Sequence, residues 1–101
     1  MNYLDLFLKA IHAKKLIEIT FDSKEKGIIT RKCVPFDFGP SKNDKVKIDK
    51  FHFWNVDSNH NLPVIPEQIV SMAILDEEFN PADYIKWTPD WNIARDWGNY
   101  S

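Results

Sequence analysis

The sequence predicts an α+β fold: a small, strongly bent antiparallel β-barrel of about five strands, with an N-terminal helix and short C-terminal helices. Three observations carry this. Apolar residues near the N-terminus repeat with helical period. From Ile17 onward the pattern changes to short alternating runs, separated by clusters of Gly, Pro, Asn and Asp. The final stretch holds two proline-marked helix starts and three of the four tryptophans. At 101 residues the chain is expected to form one domain, 1–101. Residues 1–80 would supply the helix and barrel, and 81–101 a Trp-rich helical tail packed on it.

The first element follows from spacing. Leu4, Phe7, Leu8 and Ile11 fall on one helix face, with Asn2 placed to cap and Asp5 in the first turn. Lys14 and Lys15 suit the negative end of the helix dipole. Ile17, Ile19 and Phe21 then alternate with Glu18 and Thr20, the pattern of a half-buried strand. Asp22 to Gly27 reads as a hairpin turn, and Ile28 to Val34 as the return strand. Pro35 should end that strand, because proline offers no N–H to a ladder. Phe36 to Lys45, with Gly39-Pro40 and Asn43-Asp44, reads as a loop. Val46 and Ile48 alternate with lysines, but Lys50 to Val56 is the stronger strand candidate. After the Asp57–Asn61 turn, Leu62 to Ile65 is a short strand that Pro63 assigns to an edge. Ile69 to Leu75 makes the fifth. Asn80-Pro81 and Thr88-Pro89 each place a capping residue before a proline, and Gly98 would stop the second helix.

Composition excludes several classes. No apolar run approaches the ~20 residues of a membrane helix. Met1–Leu8, with Asp5 set among apolar residues and no basic residue, is no signal peptide, so the expected location is cytoplasmic. The single cysteine, Cys33, cannot form an internal disulfide. His12, His52 and His60 have no metal-ligand spacing, and Gly27, Gly39 and Gly98 are too scattered to cradle a phosphate. No nucleophile–base pair can be placed by spacing. The expectation is a protein without catalytic activity, cofactor or metal. Charge is uneven: residues 1–50 hold eleven Lys and Arg against seven Asp and Glu, whereas residues 51–101 hold two against eight. The basic half could meet phosphates; the acidic half would repel them.

Aromatic residues are the unusual feature. Phe51, His52, Phe53 and Trp54 are consecutive, so both faces of one strand carry rings. One face must enter the core. The other either stacks on a ligand, as bases stack on exposed rings, or lies under the tail. Trp87, Trp91 and Trp97 read as a clamp holding the tail across a barrel face or opening.

The pattern over about residues 4–81 resembles the WYL domain family, whose members are small Sm or SH3-like barrels behind a helix. The resemblance rests on Leu8-x-Ala10-Ile11-His12-x-Lys14-Lys15-Leu16-Ile17-x-Ile19-x-Phe21, on Arg31-Lys32-Cys33-Val34-Pro35, and on Gln68-Ile69-Val70 through Leu75-Asp76-Glu77-Glu78-Phe79-Asn80-Pro81. The naming triplet would fall on Phe51-His52-Phe53, and two arginines usual in the family become Leu62 and Gln68. The resemblance implies a non-catalytic ligand-binding module, sensing a single-stranded nucleic acid or a nucleotide-like, anionic ligand. Its binding residues would be Arg31 for an anion, His52 and Trp54 as stacking rings, and Gln68 for a polar edge. The alternative expectation is a protein-interaction subunit, a homodimer or partner complex using an edge strand or the aromatic tail.

Overall fold

The computed structural model describes residues 2–41 and 45–101. The Asn43-Asp44 turn expected from sequence lies outside these. Helix α1 (Tyr3–Ala13) leads into five strands: β1 (Lys15–Asp22), β2 (Ile28–Gly39), β3 (Lys50–Asn55), β4 (His60–Val64) and β5 (Ile69–Glu78). A single-turn helix α2 (Pro81–Tyr84) follows, and the chain closes on a 3-10 turn at Gly98–Tyr100. The strands form one antiparallel sheet in the order β4-β3-β2-β1-β5. This sheet is open, with β4 and β5 at its edges, and among the described residues no ladder closes it into the expected barrel. The Cα radius of gyration, 12.9 Å, is that of a compact domain. No helix among the described residues is long and apolar enough to cross a membrane.

Local chemistry explains the elements. The Asn2 side chain accepts the Asp5 N–H at 2.8 Å and caps α1. Lys14 closes the helix in the left-handed region, φ 56°, which turns the chain directly into β1. Its carbonyl then accepts the Phe79 N–H, tying the end of β5 to this corner. In the β1–β2 turn the Ser23 and Gly27 backbones pair, and Gly27 supplies a φ of 78° that side chains resist.

Two strands exceed their sequence-based limits. β2 continues through Pro35 to Gly39, so Phe36–Gly39 is strand and not loop. Pro35 is tolerated because the β1 ladder ends at the Ile17–Cys33 pair, and because a register shift between Pro35 and Asp37 bulges the β3 ladder beside it. β5 runs on through Asp76-Glu77-Glu78, where Lys15 meets Glu78 at 3.5 Å and Lys32 meets Glu77 at 3.1 Å. Pro63 lies on edge strand β4, as expected. Val46 and Ile48 belong to no strand and are 69% and 48% exposed.

Cross-strand partners share a face, so the registers sort the side chains. Ile17, Ile19 and Phe21 share the inner face with Cys33, Met72, Phe51 and Phe53, and all are buried. α1 covers it with Phe7, Ala10 and Ile11; Leu8 is only half-buried. The Phe7 ring meets Phe51 and Phe53 edge-on, with centroids 5.0 and 5.2 Å away. Burying such a ring stabilises the fold by roughly 2–3 kcal/mol, with a further contribution from edge-to-face geometry.

The second C-terminal helix is absent. Residues 88–97 are irregular, and Gly98 opens a 3-10 turn rather than ending a helix. Asn80 does cap α2, accepting the Ala82 N–H at 3.1 Å. Beyond α2 the tail is held by tertiary contacts.

Candidate functional site

The outer face of β2 and β3 carries the site. Trp54 pairs with Val34, and His52 with Asp37, on the side opposite Cys33 and Phe53. The bulge turns Phe36 to this side too, where its ring lies 5.9 Å from that of His52. Left open, this patch would expose several large rings.

Residues 87–97 cover it. Trp87 packs its ring near Trp54 at 6.1 Å and Phe36 at 5.9 Å. Trp91 meets Phe36 at 5.8 Å and Trp87 at 6.0 Å. Trp97 is buried, and its indole N–H donates to the Ile11 carbonyl at the end of α1, 2.9 Å away. The expected tryptophan clamp is therefore present, but over an open sheet.

A polar clasp fixes the tail. The Asp37 carboxylate accepts the Asn92 and Ile93 backbone N–H groups, all at 3.1 Å. Those two amides are consequently unavailable for helical bonds, which explains the missing helix. The Arg95 side chain is wholly buried. Its guanidinium lies between Trp91 and Trp97, 4.2 and 4.4 Å from their ring centres. It donates to the Phe36 and Ile93 carbonyls and pairs with Asp37 at 3.5 Å. Burial pulls Arg95 down to about 10, while Asp37 opposes the shift. The group is therefore charged at neutral pH.

Between tail and sheet an open pocket of ≈ 380 Å³ remains. Phe36, Trp87 and Trp91 supply rings to its walls; His52, Asp37 and Asp90 supply polar groups. His52 is 8% exposed. Its Nε2 lies 2.8 Å from the Gly39 carbonyl, which can only accept, so Nε2 carries the proton. In the neutral ring Nδ1 is then an acceptor. It has no partner among the described residues, yet no wholly buried side-chain nitrogen or oxygen among them is unpaired. Nδ1 is therefore not wholly buried, and His52 lines the pocket.

The four residues expected to bind ligand do not form one cluster. His52 and Trp54 share the outer face. Trp54 is half-buried, and its indole N–H is taken by the Asn59 side chain at 2.9 Å. Arg31 pairs with Ile19, on the face opposite Trp54, and bonds the Thr30 carbonyl at 2.8 Å. The Gln68 side chain accepts the Ile65 N–H and donates to the Asp22 carbonyl, bracing the approach to β5. Strand alternation separates Arg31 from the rings, and structural bonds occupy Gln68. Asp37, Arg95 and Phe36 were not singled out in the sequence. The Asp37–Arg95 pair spans 58 positions, which no spacing rule would find.

Other reactive groups are quiet. Cys33 is buried, and burial pushes its thiol up to about 12, with Arg31 opposing and Asp57 adding. No group of three or more His, Cys, Asp or Glu that could hold a metal exists among the described residues. No family model matches this chain, and no curated protein matches it at a significant level.

Proposed function

We propose that the chain is a non-catalytic, WYL-like ligand-binding module whose ligand enters the pocket between the outer face of β2–β3 and the aromatic tail. The small five-stranded antiparallel sheet with one N-terminal helix is compatible with the Sm or SH3-like class. One observation carries the reading: a buried histidine, with one ring nitrogen unpartnered among the described residues, lines a cavity walled by three aromatic rings. Among the described residues the lining sets three aromatic rings and Pro40 among seven polar residues, and ≈ 380 Å³ lies within the range of small-molecule sites. His52 keeps the binding role expected from sequence. Trp54 supports Trp87 from behind, and Arg31 and Gln68 have no part in this pocket.

The test is a titration followed by tryptophan fluorescence, with nucleosides, nucleotides, short single-stranded DNA and RNA, and small amines. Saturable quenching that Trp87→Ala abolishes without loss of fold supports the module. A flat response across the series, from a folded protein, overturns it.

A protein-interaction subunit is the second reading, favoured by the two open edges of the sheet. Val70 on edge strand β5 is 49% exposed. Mass measured against concentration tests this, and a monomer at all concentrations would remove the self-associating version.

A further inference from the structure

We infer that the pocket selects a protonated amine, held as an ammonium group among Phe36, Trp87 and Trp91 with one N–H on Nδ1 of His52. This rests on the module reading above and names its ligand class. Ring geometry is the first argument. Phe36–Trp87, Phe36–Trp91 and Trp87–Trp91 are inclined by 70°, 56° and 73°, with centroids 5.8–6.0 Å apart. Rings so steeply inclined form a corner, not a parallel slot for a flat base. A corner of rings suits a compact cation, attracted by their negative faces.

The polar lining agrees. Among the described residues it includes the carboxylates of Asp90 and of Asp37, the latter already engaged by Arg95 and two tail amides, and no Lys or Arg. His52 offers an acceptor, which an ammonium N–H satisfies and a neutral arene does not. The molecule already uses this chemistry, since Arg95 rests on Trp91, which also lines the pocket.

The amine could be a free metabolite or a lysine side chain of a peptide; the ammonium head is common to both. The experiment follows the indole N–H signals by NMR on the full chain. n-Butylammonium, its neutral analogue 1-butanol, N-acetyl-lysine methylamide, butyltrimethylammonium and adenosine are titrated in turn. The expected result is saturable movement of the Trp87 and Trp91 signals while Trp97, bonded to Ile11, stays still. n-Butylammonium should bind at least roughly fivefold tighter than 1-butanol, the smaller end of a desolvated cation–ring effect. Trp87→Ala should remove that preference. Butyltrimethylammonium has no N–H and should bind more weakly than n-butylammonium in the wild type but not in His52→Phe. Tighter binding of the lysine derivative assigns the source to a peptide; equal binding assigns it to a free amine. Adenosine binding without n-butylammonium binding would overturn the amine inference and leave the module reading standing. Silence from every compound, in a folded protein, would sink both.

Discussion

Replacing Asp37 by alanine isolates the clasp that shapes the pocket. The carboxylate takes two tail amides at 3.1 Å and stands beside a guanidinium whose side chain has no exposed surface. Asp37→Ala leaves that cation buried without its counter-charge and two amides without an acceptor. Breaking a buried pair from one side costs about 3–5 kcal/mol. For a domain of this size each kcal/mol lowers Tm by roughly 4–8 °C, so a fall of at least ~12 °C is expected. The loss has a ceiling, because an undocked tail cannot be destabilised further. Hydrogen exchange at the Asn92 and Ile93 amides should accelerate more than exchange in β1 and β2. Arg95→Ala removes the buried charge, so Asp37→Ala should cost far less in its background. Urea denaturation of the single and double variants measures this. Additivity within about 0.5 kcal/mol, or an Asp37→Ala loss below about 1 kcal/mol, would refute the clasp.

Three further outcomes are expected. Cys33 ionises at 9.0 when unfolded and at about 12 when folded, so its stabilisation is complete below pH 9 and is lost as pH rises toward 12. Arg95, whose pKa burial lowers to about 10, acts in the opposite sense above that pH. Between about pH 8 and pH 10, Cys33→Ala should therefore lose less stability than the wild type, by up to about 1.4 kcal/mol, and an equal loss in urea melts would exclude a buried thiol. Gly39 has φ +140°, and a Cβ there would stand 2.6 Å from the side-chain Nδ2 of Asn92. Gly39→Ala should cost about 1–3 kcal/mol and shift the Trp91 signal; an unchanged melt would deny this close approach. Arg31→Ala should leave pocket binding within about twofold of wild type, because strand alternation places it on the other face. A larger drop in the same titration would return Arg31 to the site.

The fold was legible where a local rule decided it. Asn2 and Asn80 signalled helix starts, Ile17–Phe21 showed strand alternation, and Pro63 marked an edge. Pro35 misled because its harmlessness depends on where the neighbouring ladder stops, a tertiary fact. Thr88-Pro89 misled because Asp37, far away in sequence, captures the amides a helix would need. Half the site was readable for a similar reason. The aromatic strand announced His52 and Trp54, and the tail announced its tryptophans. The Asp37–Arg95 pair that registers one against the other left no local trace.

The bond from Trp97 to Ile11 spans 86 positions. The β1–β2 and β3–β4 hairpins need only short loops, whereas this bond has to wait for nearly the whole chain to be arranged. The tail is therefore expected to dock after the folding barrier has been crossed. Interactions formed that late hardly change how fast a protein folds; they slow its unfolding. The tryptophan segment thus acts as a kinetic latch, and changes in it should register in the lifetime of the native state before they register in the rate of reaching it.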